Sequence, residues 1–245
     1  QALQKRISSM EDGIASVAFG TGMAAISSSI LSLLRAGDHI VSSAFLFGNT
    51  NSFFGTLQRL GIEVSFVDAT DVKNIEDAIQ KNTKLVFAET IANPVTQISD
   101  LKRIGNLCEL ENLIYMVDNT MTSPHLFRPK NVKASLVINS LTKYIGGHGN
   151  ALGGVVTDTG LYDWSTFENI LETYRSEDSA VWGITQIKKK GLRDFGASLG
   201  PEAAHHLAIG SETLSLRMNK ASTNALCLAE FCDKHPNIKQ TYYPG

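Results

Sequence analysis

The sequence predicts an α/β fold in which helices flank a mostly parallel sheet of seven strands. Short apolar runs of about four to eight residues recur along most of the chain, and helical patterns separate the first five of them. Parallel strands need such long crossover connections, whereas antiparallel neighbours can be joined by a short loop. The alternation therefore indicates βαβ units with helices on both faces of the sheet.

The predicted elements follow one another in a regular order. The seven strands are predicted at residues 14–18, 39–43, 62–67, 84–89, 113–118, 135–140 and 152–158. Four helices are predicted between the first five strands, near 22–35, 49–60, 72–81 and 99–111. The last two strands have no helix between them, which predicts one reversed strand. Beyond about residue 160 the pattern is helical, with segments near 179–190, 201–209 and 211–234.

Composition excludes several classes of protein. The formal net charge of −2 provides no basic surplus for nucleic acid or an anionic membrane. No apolar run approaches the roughly eighteen residues of a membrane span, and the polar N-terminus does not resemble a signal peptide. Cys108, Cys227 and Cys232 are odd in number, lie in apolar helical patterns and show no metal-ligand spacing, so we expect reduced, buried thiols in a cytoplasmic protein without a metal. The chain opens inside a helix-like run and closes at YYPG, and we expect a natural chain to continue on both sides.

The loops after the strands are the expected place of a ligand site, because ligands of such sheets bind beyond the carboxyl ends of the strands. The first loop, in VAFGTGMAAIS, turns on glycines and begins a helix of small residues, so the backbone N–H groups of Gly22 and Met23 suit a phosphate. The same letters match a dinucleotide fingerprint, which needs an acidic residue at the end of the second strand. Asp38 lies at the start of that strand, so the spacing disfavours a dinucleotide.

Three further loops each contribute one residue that has a functional and an ordinary interpretation. Phe47, before a glycine, would stack on an aromatic ligand or belong to the core. Asn93, before Pro94, would donate its amide to a ligand oxygen or form an ordinary turn. Asp118 ends an apolar strand, where its carboxylate needs a cation or a protonated ring nitrogen as partner, unless it closes an Asx turn.

The stretch NSLTKYIGGHG follows the sixth strand at the same edge. Ser140 and Thr142 can donate to a phosphate, and Lys143 offers an amine to a carbonyl group. Taken together, the loops describe a ligand with a phosphate, an aromatic ring, a ring oxygen, a basic ring nitrogen and an aldehyde. Pyridoxal 5′-phosphate (PLP) has all five, and a lysine with an aspartate is the expected pair in a PLP site.

With these motifs in place, the chain resembles the PLP-dependent enzymes of cysteine and methionine metabolism, the cystathionine γ-synthase-like family of fold type I. The resemblance is carried by FGTGMAA, ETIANP, VDNT, NSLTKYIGGHG and ETLSLRM, which extend over essentially the whole chain. It implies that Lys143 forms the Schiff base and that Asp118 partners the pyridinium. It also implies a cofactor-binding set, which consists of Gly22, Met23, Phe47, Asn93, Asp118, Thr120, Ser140 and Thr142.

Two details favour one branch of that family. GGHG together with LRDFGASLGPEAA resembles the O-acetylhomoserine sulfhydrylases, which implies γ-replacement on an O-acylhomoserine with sulfide to give homocysteine. Most family members have tyrosine at the position of Phe47, so a tyrosine-assisted lyase mechanism is less favoured. Cystathionine γ-synthase and γ-lyase stay open as alternatives. So do two hypotheses of another class, a nucleotide-dependent oxidoreductase and a PLP-binding protein without turnover.

The resemblance also implies a domain organisation and partners. We expect a large PLP-binding domain over residues 1–210, then a long connecting helix and the start of a small C-terminal domain over 211–245. In the family, the N-terminal arm of a neighbouring subunit supplies a Tyr/Arg pair that binds the cofactor phosphate, and the small C-terminal domain supplies the arginine that binds the substrate carboxylate. We expect both of these segments to lie outside this chain. Arg217 is therefore predicted to be structural. The expected partners are an O-acylhomoserine, a sulfur donor and further copies in a homotetramer built of dimers with shared active sites.

Overall fold

The computed structural model describes residues 1–245 and contains one seven-stranded sheet flanked by helices, which confirms the predicted α/β fold. The strands are β1 (Ala15–Phe19), β2 (His39–Ser43), β3 (Glu63–Val67), β4 (Thr83–Glu89), β5 (Ile114–Asp118), β6 (Leu136–Ser140) and β7 (Gly154–Asp158). The helices are α1 (Ala2–Met10), α2 (Gly22–Leu33), α3 (Gly48–Arg59), α4 (Val72–Ala78), α5 (Leu101–Leu110), α6 (Ser123–Leu126), α7 (Trp182–Gln186), α8 (Pro201–Ser211) and α9 (Leu214–Lys234). Every predicted strand is present, with ends that differ by at most a few residues.

The sheet has the order β1-β7-β6-β5-β4-β2-β3, and β7 is its only reversed strand. It pairs antiparallel with both of its neighbours, β1 and β6, while the other pairs are parallel. The reversal predicted from the missing helix is therefore confirmed. It also means that the connection over 141–153 leaves and returns at the carboxyl edge of β6.

Helices cover both faces of the sheet, so the central strands are buried on both sides. Along β5, Ile114 and Met116 pack into one core cluster with α2 and α3, while Tyr115 and Val117 pack into a second cluster with α4 and α5. This alternation is the period of two that a strand imposes on its side chains.

A smaller third cluster joins α1, α8 and α9 to the connection between β6 and β7. It contains Leu141 and Ile145 from that connection, together with Leu207 of α8 and Met218 of α9. These apolar contacts anchor the segment on both sides of Lys143.

Two predictions about local structure are wrong in part. Residues 179–190 do not form one regular helix: α7 passes into a π-helix over Ile187–Asp194, where Gly191 lies so close to Ser28 of α2 that a Cβ would come within 2.7 Å of the Ser28 carbonyl oxygen. Among the predicted buried thiols only Cys108 is buried. Cys227 is exposed and Cys232 is partly exposed, because α9 buries residues only near its start.

Two other expectations concern the domain boundary and the membrane. The boundary between residues 210 and 211 stays a prediction; it falls within the last turn of α8, and α9 begins three residues later. None of the helices combines the length and the apolar character that crossing a membrane requires.

The core that supports the site can be tested with two leucines that occupy equivalent places. Leu33 and Leu110 are the last residues of α2 and α5, but Leu33 is 1% exposed and Leu110 is 80% exposed. We expect Leu33→Ala to lower the free energy of unfolding by about 2–5 kcal/mol, because it removes buried methyl groups and leaves a cavity. Leu110→Ala should change it by less than about 0.5 kcal/mol. Denaturant unfolding of the two variants measures both values, and equal losses would contradict the burial of α2.

Candidate active site

All nine predicted site residues, eight from the loops and Thr120 from the family resemblance, line one cleft of about 770 Å³ at the carboxyl edge of the sheet. They are Gly22, Met23, Phe47, Asn93, Asp118, Thr120, Ser140, Thr142 and Lys143. They come together because they follow β1, β2, β4, β5 and β6, whose carboxyl ends all reach that edge. Residues up to 121 positions apart in the sequence thus share one site.

One corner of the cleft offers unpaired backbone donors. The side chain of Thr21 caps α2 by accepting from the Ala24 N–H (3.0 Å), and the first intrahelical bond runs from Ala25 N–H to the Thr21 carbonyl (3.1 Å). The N–H groups of Gly22 and Met23 therefore have no partner inside the helix. Together with the positive end of the helix dipole, they form an anion-binding corner.

The end of β6 lies directly against this corner. A Cβ on Gly22 would come within 2.8 Å of the Ser140 Cβ, so only glycine allows α2 to begin there. The Ser140 N–H donates to the Thr120 Oγ1 at 2.8 Å, which joins the ends of β5 and β6. The Thr142 hydroxyl donates to the Gly153 carbonyl at 3.2 Å and accepts from the Gly153 N–H at 3.0 Å. The hydroxyl proton of Thr142 is therefore engaged by the Gly153 carbonyl, so this hydroxyl must rotate before it can donate to a phosphate.

Asp118 lies at the end of β5, deeper in the same cleft. Its Oδ1 accepts from the Thr120 N–H at 2.9 Å. Burial raises the pKa of Asp118, and the hydrogen bonds from Thr120 only partly oppose that rise. No cation contributes to its electrostatics, so the carboxylate lacks a positive partner. A protonated ring nitrogen would be such a partner.

Lys143 stands in the cleft as an exposed amine that forms neither an ion pair nor a side-chain hydrogen bond. The turn behind it is held by Arg217 of α9, whose guanidinium donates to the carbonyls of Tyr144 (2.6 Å), Ile145 (3.2 Å) and Gly210 (2.9 Å). Arg217 thus has the structural role predicted for it, although it also lines the cleft. The chain fixes the backbone at Lys143 and leaves its amine free to react.

Phe47 and Asn93 border the cleft from the ends of β2 and β4. Phe47 precedes α3, is 39% exposed and belongs to none of the core clusters, so the alternative that it is a core residue is wrong. The Asn93 side chain is exposed and makes no hydrogen bond within the chain. Its amide is therefore available to a ligand, as expected.

The dinucleotide alternative requires an acidic residue at the cleft, and Asp38 does not lie there. The Asp38 carboxylate is buried at the opposite edge of the sheet, where its Oδ2 accepts from the Arg35 N–H (2.8 Å) and from the Asn169 side chain (2.7 Å). It is absent from the residues that line the cleft. A ribose hydroxyl bound near α2 would find no carboxylate there.

Glu89 is a site residue that the sequence analysis missed. It ends β4, lies in register with Asp118 and lines the cleft while only 6% exposed. Its Oε1 accepts from the Phe47 N–H at 2.7 Å. Burial, reinforced by the negative charge of Asp118, raises the pKa of Glu89 to about 8. The available signal was the strand KLVFAE, which ends in a carboxylate just as LIYMVD does.

These features fit pyridoxal 5′-phosphate. The cleft presents two unpaired N–H groups at a helix start, a carboxylate without a cation, an exposed phenyl ring and a free amine. Gly22 lets the start of α2 lie against Ser140, because a Cβ at this position would collide with the Ser140 side chain. The role of each residue toward the cofactor stays a prediction.

The protonation of Glu89 can be tested through stability. Because its pKa in the folded state is about 8 and its ordinary value is 4.5, the protonated form stabilises the fold below pH 4.5, and this contribution is lost as the pH rises from 4.5 through 8. Over that window the free energy of unfolding of wild type should fall relative to Glu89→Gln by on the order of 1.4 kcal/mol per pH unit.

The comparison is made by denaturant unfolding across the pH range, with the exposed Glu76→Gln as control, which should show no such slope. Glu89→Ala should cost about 1–3 kcal/mol more than Glu89→Gln, because it leaves the Phe47 N–H without an acceptor. A difference between wild type and Glu89→Gln that does not change with pH would show that Glu89 is ionised throughout.

Comparisons with known proteins agree with the interpretation of the cleft as a PLP site. Residues 1–245 match the family described as Cys/Met metabolism PLP-dependent enzyme. An O-acetyl-L-homoserine sulfhydrylase from Leptospira meyeri is 36% identical over 99% of this chain and 59% of its own length. An L-methionine gamma-lyase from Fusobacterium nucleatum subsp. polymorphum is 38% identical over 99% of this chain and 57% of its own length. The chain thus spans less than two thirds of these relatives.

Solved structures extend the similarity to three dimensions. The O-acetylhomoserine sulfhydrylase of Wolinella succinogenes superposes with a TM-score of 0.92 at 36% identity, covering 99% of this chain and 69% of that one. A protein from Campylobacter jejuni, 31% identical with a TM-score of 0.91 over 99% of this chain and 62% of that one, contains N′-pyridoxyl-lysine-5′-monophosphate. With the family match over its full length, this chain belongs to the Cys/Met metabolism PLP-dependent enzymes, and its cofactor is pyridoxal 5′-phosphate.

Proposed function

We propose that the protein replaces the acetyl ester of O-acetyl-L-homoserine with sulfide, giving homocysteine and acetate in methionine biosynthesis. The observation that carries this proposal is Phe47, an exposed phenyl ring that lines the cleft. The family resemblance implies a tyrosine at this position in most members, with a hydroxyl that would assist a lyase. Without that hydroxyl, Lys143 is the one free amine available to move protons there. The similarity to the sulfhydrylases of Leptospira meyeri and Wolinella succinogenes supports the same choice.

Each residue of the cleft has a defined task in this proposal. Gly22, Met23 and Ser140 bind the cofactor phosphate, Asn93 donates to the ring oxygen, and Phe47 stacks on the ring. When bound, PLP supplies an aldehyde that holds the substrate amine and a ring that withdraws electrons from its Cα. Asp118 keeps a proton on the ring nitrogen, because a charged partner relieves the cost of its own burial.

Lys143 performs the proton transfers. Its amine would hold the cofactor aldehyde and, once the substrate amine has taken that place, would act as general base on the Cα proton. Loss of a second proton from Cβ allows the acetate to leave Cγ with its bonding electrons. Sulfide then adds at Cγ, a proton returns to Cβ and Lys143 returns a proton to Cα, so that both C–H bonds are restored in homocysteine. The free lysine side chain and the turn clamped by Arg217 suit an amine that must move while its backbone stays in place.

A γ-lyase is the second candidate, because the methionine γ-lyase of Fusobacterium nucleatum is 38% identical to this chain. It would use the same cofactor site and release a 2-oxo acid without any added nucleophile. The assembly belongs to the proposal as well. We propose a homotetramer of dimers with shared active sites and a cytoplasmic location, consistent with three free cysteines.

The reaction is tested by the products of the purified full-length protein with O-acetyl-L-homoserine. We expect homocysteine when sulfide is present and no cystathionine when cysteine replaces sulfide, with products identified by mass. Formation of 2-oxobutyrate without a nucleophile, or of cystathionine with cysteine, would move the assignment to a lyase or a synthase. Absence of any product would contradict the proposed substrate.

The role of Lys143 is tested by Lys143→Ala. Because the amine is both the group that holds the cofactor and the general base, we expect kcat/KM for homocysteine formation to fall by at least about 10²-fold. The absorbance band of the lysine-bound cofactor should disappear as well. Lys188→Ala, an exposed lysine outside the cleft, is the matched control and should keep both. A variant at position 143 with wild-type turnover would remove the lysine from the mechanism.

A further inference from the structure

Glu11 is a fully buried acid that the proposed mechanism does not use. It follows the last residue of α1 and is 0% exposed. Its Oε1 accepts hydrogen bonds from the Nδ2 of Asn119 at 2.9 Å and from the Nδ2 of Asn139 at 2.6 Å. Asn119 lies 108 positions and Asn139 lies 128 positions from Glu11 along the chain, so both contacts depend on the tertiary structure.

Both asparagines are neighbours of predicted cofactor residues. Asn119 follows Asp118 at the end of β5, and Asn139 precedes Ser140 at the end of β6. Side chains of successive residues in a strand point to opposite faces. Glu11 therefore holds the two strand ends from the side opposite to the residues that face the cleft.

The arrangement leaves two buried oxygens without a hydrogen-bond partner. One is the Oε2 of Glu11 and the other is the Oδ1 of Asn139. Both are acceptors as long as Glu11 is ionised, so neither can satisfy the other. They belong to the two planar groups that are already joined by the 2.6 Å bond. A single proton on Oε2 turns one of the two unpaired acceptors into a donor.

We propose that Glu11 is a neutral carboxylic acid whose Oε2–H donates to the Oδ1 of Asn139, closing a two-bond ring between the acid and the amide. In this form Glu11 is a positioning residue: through Asn119 and Asn139 it sets the places of Asp118 and Ser140. The proposal goes beyond the reaction, because it holds whichever γ-substituted substrate the enzyme takes.

The electrostatics around the acid agree with this assignment. Burial raises the pKa of Glu11 to about 7, although the two asparagines and the positive charge of Arg128 oppose the rise. Arg128 is already paired with Asp12 at 2.9 Å, and Asp12 itself raises the pKa of its neighbour. The Lys130 ammonium donates to the Asp12 backbone carbonyl. Neither cation forms an ion pair with Glu11.

The test compares Glu11→Gln with Glu11→Ala in the purified full-length protein. Glutamine keeps an acceptor oxygen for the two asparagines and places an N–H where the acid proton stood. We expect Glu11→Gln to bind PLP within about threefold of wild type and Glu11→Ala to bind it about tenfold more weakly, measured by cofactor titration. Glu76→Gln, an exposed substitution of the same kind, should match wild type.

A second measurement detects the carboxyl proton of Glu11 directly. The infrared difference spectrum of wild type minus Glu11→Gln should contain the carbonyl band of a protonated carboxyl at about pH 6 and lose it at about pH 9, on either side of the pKa of about 7. The melting temperature of wild type should fall relative to Glu11→Gln as the pH rises from 4.5 through 7.

The proposal is overturned if Glu11→Gln fails to fold or binds PLP as weakly as Glu11→Ala while wild type shows no protonated carboxyl at about pH 6. That result would make Glu11 an ionised anion at the strand ends. Loss of homocysteine formation alone bears on the proposed reaction and leaves the infrared band and the cofactor titration unaffected.

Discussion

The close approach of α2 to the ends of β6 and β7 is the constraint on which the rest of the site depends. A Cβ on Gly22 would collide with Ser140, and a Cβ on Gly154 would come within 2.1 Å of the Thr21 carbonyl oxygen. Because neither position carries a side chain, the helix start lies directly on the sheet edge. Its unpaired N–H groups then face the same space as Lys143.

The reversed strand β7 places Lys143 opposite the start of α2. Since it runs against β6, the connection between them stays at the carboxyl edge and carries Lys143 across the cleft. Apolar contacts of Leu141 and Ile145 with α8 and α9 hold that connection, and Arg217 binds its carbonyls. These contacts hold the backbone of the connection in place while the Lys143 side chain stays free.

Three carboxyl groups that burial disfavours as anions lie in or directly behind the cleft. Asp118 faces the cleft, Glu89 lies beside it in register, and Glu11 lies behind the strand ends, each with a raised pKa. Their partners differ, and so do their roles. Asp118 lacks a cation and so suits a positively charged ring, whereas Glu89 and Glu11 hold neighbouring backbone and amide groups in place. A protein that carries such groups gives up part of its stability for a preorganised site.

The sequence by itself determined the order of strands and helices along the chain, the reversed strand and eight of the nine predicted residues that meet in the cleft, while Thr120 came only from the family resemblance. It could do so because strand period, turn glycines and the common carboxyl edge of parallel strands are all visible in local patterns. Only the tertiary structure decided that Phe47 lies outside the core, that the Thr142 proton is already used and that Cys227 is exposed. It alone also brought Glu11 to Asn119 and Asn139, because a contact across more than a hundred residues depends on how helices pack on the sheet and leaves no periodic trace in the chain.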